Sequence, residues 1–238
     1  MVLSHDLTQN RILAGLSPAE YGRLLPALEL VDLAVGDGIY EPDARITHLY
    51  FPIDCIIARL YELDTGASVQ TSVTGNEGMI GIAYLLGSES TSARTVALKG
   101  GGALRINAPL LKKEFECGGT LQRLLLRFAQ ALIIQTEQVA IGNQHHTIEQ
   151  RLSHFLLMIL DRMSGNELHI THEQVGIFLG VRRESVTTAA QKLETTGAIA
   201  CRRGHMSVTD RRQVETLAGE NYVQIRKEYE RLRAYRPC

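Results

Sequence analysis

The stretch that most constrains this chain is "THEQVGIFLGVRRESVTTAAQKLETTG", residues 171–197. Thr171 followed three residues later by Gln174 reads as a capping box, and Glu173 suits the positive end of a helix. Val175, Phe178 and Leu179 fall on one face of that helix. A second amphipathic run gathers Val186, Ala189, Ala190 and Leu193 on its own apolar face. Between the two stands Gly180, which permits a tight turn, and then Val181, which plugs it. Two short helices that must bury facing stripes across so short a turn predict a helix-turn-helix.

The segments on either side extend that unit. "TIEQRLSHFLLMILDRM" predicts a helix that stops at Ser164-Gly165-Asn166. "AIACRRGHMSVTD" predicts two short strands around a basic turn, Arg202-Arg203-Gly204, which would form a wing. "DRRQVETLAGENYVQIRKEYERL" predicts a terminal helix rich in charge pairs.

Arg182 and Arg183 pose a physical question. A helix N-terminus carries partial positive charge, so two arginines there work against the helix. A partner outside the chain resolves the conflict. In a helix-turn-helix the first turn of the second helix enters the DNA major groove, where arginine donates twice to guanine and glutamate accepts from cytosine. The candidate DNA-binding residues are therefore Arg182, Arg183, Glu184, Ser185, Thr187 and Thr188. Arg202 and Arg203 of the wing, and Thr171 at its helix N-terminus, are candidates for phosphate. Charge runs the same way. Residues 1–150 hold 11 basic against 16 acidic side chains, a net of −5, whereas residues 151–238 hold 14 against 10, a net of +4. A basic C-terminal half suits a polyanion.

Residues from about 30 to 108 have a different texture. Short runs such as "HLYFPI", "CIIARLYEL", "SVQTSV" and "RTVALK" alternate with the turn clusters "VGDG", "EPDA", "LDTG", "TGNEG" and "KGGG". That spacing predicts a small antiparallel sandwich or barrel. Ahead of it, Ser17, Pro18 and Glu20 predict a capped short helix. After it, "LQRLLLRFAQALIIQTEQVAIGNQ" is apolar around most of its circumference, so pairing with a second copy is expected.

The four cysteines, Cys55, Cys117, Cys201 and Cys238, form no C-x-x-C pair, which argues against a zinc ribbon. No signal-like segment opens the sequence and no apolar run approaches the roughly 20 residues that a membrane span needs, so a cytoplasmic chain with reduced thiols is expected. His145 and His146 point about 100° apart on a helix, which argues against a shared metal ion with Glu149.

The stretches "GNQHHTIEQRLSHFLLMILDRM", "ITHEQVGIFLGVRRESVTTAAQKLETTGAI" and "RRGHMSVTDR" resemble the C-terminal half of Crp/Fnr-type bacterial transcription regulators, in a subgroup with an "LGVRR..VT" recognition segment. The resemblance implies an α+β fold: an N-terminal antiparallel β-roll, jelly-roll-like and similar to a cyclic-nucleotide-binding domain, a long dimerisation helix at about 109–143, and a C-terminal winged helix-turn-helix. The domains implied are 1–143 and 144–238. It further implies a homodimer on a two-fold-related site in double-stranded DNA, with RNA polymerase as a further partner. Arg183 and Glu184 match the family's base-reading arginine and glutamate, whereas Thr188 stands where its best-known members carry a second arginine.

The family's nucleotide pocket maps onto Gly81, Ile82, Thr91, Ser92, Arg94 and Thr136. Ile82 replaces the ribose-binding glutamate, and no arginine stands beside Thr91-Ser92. Losing that charge-assisted contact argues against conventional cyclic AMP binding. The lack of a cysteine cluster argues against an iron–sulfur centre, and His48 is a lone candidate for haem. The expectation is a sequence-specific DNA-binding regulator whose β-roll senses an unidentified effector or serves as a scaffold. The rival is a regulatory module whose helix-turn-helix grips a protein. An enzyme is least supported, since no nucleophile grouping, phosphate loop, paired-carboxylate motif or metal cluster stands out.

Overall fold

The computed structural model describes residues 9–63 and 68–234. Most of the "LDTG" turn and Cys238 therefore lie outside the described residues. The described residues form two compact units, one of residues 9–59, 74–133 and 228–234, the other of residues 60–63, 68–73 and 134–227.

The first unit opens with α1 (Arg11–Ala14) and α2 (Pro18–Leu24). Strands β1 (Glu29–Leu33), β2 (Gly38–Tyr40), β3 (His48–Pro52), β4 (Ile56–Glu62) and β5 (Ser68–Thr74) follow, the last two reaching into the second unit. After a one-turn α3 (Ile82–Leu85) come β6 (Arg94–Lys99) and β7 (Gly101–Asn107). One sheet has the order β1-β7-β3, the other β2-β6-β4-β5. In β3, Leu49 and Phe51 are fully buried while His48 and Tyr50 are half-exposed, the alternation of a strand with one face on a core. Phe51 and Leu30 face Leu104 of β7 from either side of it. This is the antiparallel two-sheet body that the alternating runs predict.

The helix expected from about residue 109 is in fact two. α4 (Ala108–Glu116) ends at Cys117, and α5 (Gly119–His145) starts afresh. Gly118 and Gly119 separate them with φ of 79° and 89°, values that glycine adopts at no steric cost. α5 is also long and apolar enough, by length and composition, to cross a membrane, with 33% of its apolar window buried. That corrects the reading that no run comes near such a length. Core helices pass the same test, and Leu121, Leu125 and Phe128 of α5 are fully buried.

The capping box at Ser17 forms as expected, and its acid has a second task. Glu20 accepts from Ser17 through Oε2, while Oε1 accepts from the backbone N–H groups of Thr120 (2.7 Å) and Leu121 (3.1 Å). A carboxylate from α2 thus caps the first turn of α5, where both the orphan donors and the dipole favour it. Burial pushes the carboxyl up, but the hydrogen bonds from Ser17, Leu121 and Thr120 outweigh it and hold the group at about 2.

The second unit contains α6 (Ile148–Leu160), β8 (Glu167–His169), α7 (His172–Leu179), α8 (Arg183–Thr195), β9 (Ile199–Arg202), β10 (His205–Val208) and α9 (Arg211–Ala234), whose end returns to the first unit. Its core is built from α6, α7 and α8, with Leu156, Ile159, Val175, Val186, Ala190 and Leu193 all buried, and Phe155 stacks on Phe178 at 5.7 Å. The wing has three strands in the order β8-β10-β9, one more than expected. β8 was hidden because Glu167–His169 is only three residues long and pairs with a strand 38 positions away. α9 breaks at Gly219, whose φ of 70° and ψ of −160° are not helical. Arg211 and Tyr222 of α9 both bond Asp161 at the end of α6, the tyrosine at 2.9 Å.

Gln135 of α5 shows how polar side chains complete this unit. Its Oε1 accepts from the Val73 N–H at 3.0 Å and its Nε2 donates to the Val73 carbonyl at 3.2 Å. The amide acts as one more residue of a strand along β5, so a buried backbone pair does not go unsatisfied.

Candidate nucleic-acid interface

The two helices of the expected motif meet at Gly180. Thr171 caps α7 as the sequence predicts, its Oγ1 accepting from the Gln174 N–H at 3.2 Å. Gly180 ends the helix in the left-handed conformation, φ 64°, and a side chain there would also lie 3.1 Å from the Ser68 carbonyl of β5. Gly176, not singled out from sequence, is equally constrained. A Cβ on it would come within 2.8 Å of the Val181 carbonyl, so the turn folds onto bare backbone. Its signal in the sequence was a glycine inside a helix, where alanine is ordinarily better.

α8 starts without a cap of its own. Arg182 occupies the N-cap position with φ −69° and ψ 148°, and its side chain makes no capping hydrogen bond. Arg182, Arg183, Glu184 and Thr188 are exposed and Ser185 is half-exposed, while Val186, Ala189, Ala190 and Leu193 face inward. The helix therefore has one face in the core and a charged first turn on the surface. Beside it runs an open groove of about 680 Å3, lined by Glu173, Ile177 and residues 180–185 with Ser68 at its edge. Ser68 donates from Oγ to the Ile177 carbonyl at 3.2 Å, so the tip of β5 braces the turn. Sequence reasoning missed this brace, because it joins residues 109 positions apart.

One member of the candidate set also bonds to the neighbouring helix. Thr187 is half-buried, with its Oγ1 donating to the Arg183 carbonyl at 3.1 Å and lying 2.9 Å from His172 Nδ1. Its hydroxyl thus links α8 to His172 of α7. Burial first, then Arg183, lowers the pKa of His172, so the imidazole meets Thr187 neutral. Thr188 remains exposed, its hydroxyl bonded to the Glu184 carbonyl at 3.0 Å. In the wing, Arg202 and Arg203 are exposed beside Gly204, whose φ of 76° makes the turn.

The effector candidates are placed differently. Gly81 has φ 93° and begins α3, and Ile82 is buried in that helix. Thr91 is buried, its hydroxyl bonded to the backbone of Ala93, while Ser92 is exposed. Arg94 opens β6 and pairs with Glu41 at 3.4 Å, so it does not share a strand with Ser92. Thr136 is exposed on α5 and belongs to the second unit. Next to these, the Phe128 ring packs where a Cβ on Gly78 would stand, 2.0 Å from its edge. Of the other cofactor candidates, His48 lies 3.1 Å from Thr47 Oγ1, and Glu149 pairs with Lys192. Among the described residues, no three His, Cys, Asp or Glu side chains are grouped to hold a metal ion.

Comparison with known proteins bears on both units. Residues 150–217 match the Crp-like helix-turn-helix domain. Among solved structures, a protein assigned as a transcriptional regulator of the Crp/Fnr family from Eubacterium rectale superposes with a TM-score of 0.70 at 18% identity, over 89% of this chain and 99% of that one. FixK2 from Bradyrhizobium japonicum gives 0.69 at 17% identity, over 81% and 98%. The c-di-GMP-responsive regulator CLP of Xanthomonas campestris gives 0.63 at 16% identity, over 81% and 99%. At such identities the likeness is one of fold. No curated sequence matches the chain.

Proposed function

We propose, for a chain that carries a Crp-like helix-turn-helix domain on the fold of Crp/Fnr-family regulators, that it is a homodimeric, sequence-specific DNA-binding transcription regulator. Residues 1–143 make up the sensor-like part with the dimerisation helix, and residues 144–238 the DNA-binding part. The observation that carries this reading is the uncapped, exposed first turn of α8. Arg183 and Glu184 read base edges, Arg182 and Ser185 approach the backbone, and Arg202 and Arg203 of the wing hold phosphate. The backbone N–H groups of that first turn add donors that no N-cap side chain occupies.

The dimer rests on α5. Leu126, Gln130, Ile133, Glu137, Ala140 and Gln144 are all exposed and recur at alternating intervals of four and three, the spacing of a coiled-coil seam. Leu126 and Ile133 are 47% and 52% exposed, well above the buried positions of the same helix. Each is already about half covered, so completing its burial contributes about 1 kcal/mol, counted once on each of the two chains of a two-fold seam. Two recognition helices on one duplex then suit a two-fold-symmetric site.

The packing of Phe128 on Gly78, with Ile82 buried in α3, supports a β-roll that acts as a scaffold or takes an effector other than cyclic AMP in the usual way. The resemblance supports RNA polymerase as a partner and the cytoplasm as the compartment. Sedimentation of the chain with a selected duplex tests the assembly. Two chains per duplex are expected, and Ile133→Glu is expected to leave monomers with at least hundredfold weaker binding. A monomer bound with full affinity contradicts the reading.

A further inference from the structure

A small cavity of the second unit, about 30 Å3, lies apart from the residues assigned to DNA. Gln70 of β5, His146 just past α5, Arg151 and His154 of α6, and Phe178 of α7 line it, and its lining includes no aspartate or glutamate. Its polar groups are out of balance. Arg151 Nε, His154 Nε2 and Gln70 Oε1 are each sealed from solvent and without a hydrogen-bond partner among the described residues. Arg151 does donate through Nη2 to the Leu179 carbonyl, but that leaves its charge uncompensated. Glu149, the acid nearest to it in sequence, pairs with Lys192 instead.

The electrostatics run in one direction. Burial lowers the pKa of Arg151, and burial followed by repulsion from His146 and Arg162 holds His154 down at about 4. Arg151 as a whole is half-buried, yet its Nε is sealed. A sealed donor left unpaired is costly, and a guanidinium partly withdrawn from water without a counter-charge adds to that cost. Water would satisfy the donors yet leave the charge. A negative ion answers both demands. Space sets its size: a water needs about 10–15 Å3 by this measure, so the cavity takes one compact ion and excludes a nucleotide.

We infer that this cavity is a binding site for one small monovalent inorganic anion of about halide size, held by the Arg151 Nε–H and the His154 ring N–H. Gln70 supplies a third donor once its amide is turned to present nitrogen, an orientation that hydrogen bonding alone decides. The ion joins β5, α6 and α7 and so stiffens the seat of the helix-turn-helix within its own unit.

The test uses the full chain and bromide as the probe. Sodium gluconate, too large for the cavity, is exchanged stepwise for sodium bromide at constant ionic strength while thermal unfolding is followed. A saturable rise of the midpoint is expected, since a ligand of the folded state alone stabilises it by mass action. Crystals grown in bromide are expected to show an anomalous peak between Arg151 and His154. Arg151→Gln is expected to weaken bromide about tenfold or more, and His154→Leu, which keeps the volume, to weaken it less. An empty cavity in the wild-type crystal, a peak there without a saturable shift in solution, or equal shifts in wild type and a folded variant would each overturn the site.

Discussion

α5 begins under a carboxylate supplied by the protein itself, whereas α8 begins under two guanidinium groups and no cap. At the first, Glu20 satisfies two backbone donors and meets the helix dipole with the opposite charge. At the second, Arg182 and Arg183 face solvent and oppose the dipole. One end is capped from within the fold, and the other, with Glu184 as the acid of its first turn, has no capping side chain and suits the proposed contact with DNA. The same physical rule applies at both ends, and under the proposed function it separates residues that hold the fold from residues that meet DNA.

The largest expected effect lies at the open end. Arg183→Ala is expected to cost about 1–3 kcal/mol per half-site and relax preference at one base pair, measured by titrating a fixed duplex and its single-base variants. Its thermal stability should stay close to wild type. At the closed end the expectation reverses. Glu20→Gln should lower stability by about 1.5–3 kcal/mol and leave the affinity of the folded protein for DNA unchanged. Acid titration sharpens this. Glu20 is held at about 2 against an ordinary 4.5, so its contribution is complete above pH 4.5 and is lost as pH falls toward 2. The Gln variant should therefore converge on wild-type stability at the acid end of that window, as followed by denaturant unfolding.

Arg182→Asp exchanges one kind of end for the other. Aspartate at an N-cap should stabilise α8 by about 0.5–2 kcal/mol, while DNA affinity falls by about tenfold or more and the salt dependence shallows. Opposite signs in calorimetry and DNA titration are the signature, and a loss in both would place Arg182 in the fold. The smallest effect is expected at a satisfied internal network. Tyr222→Phe removes one hydroxyl between Arg211 and Asp161, for about 1 kcal/mol of stability and no change in DNA affinity.

What could be read in advance followed from local rules. The capping boxes at Ser17 and Thr171, the turn at Gly180 and the buried faces of α7 and α8 all depend on neighbours within a few residues. The exposed first turn of α8 was legible for the same reason, as a charge pattern that a helix alone would not favour. What escaped depends on distant partners. Glu20 reaches Thr120, Gln135 completes β5, Ser68 braces the α7–α8 turn, and β8 exists only because β10 pairs with it. The contact of Thr187 with His172 on the neighbouring helix escaped for the same reason. The break at Gly118 and Gly119 was visible as a glycine pair, but apolar periodicity on both sides masked it.

Selection of bound duplexes from a randomised pool by the full chain tests the central claim most directly. The account predicts a two-fold-symmetric motif whose half-sites each lose one base preference in Arg183→Ala. Recovery of no motif, or of the same motif from Arg183→Ala, would contradict it and turn attention to a protein partner for the helix-turn-helix.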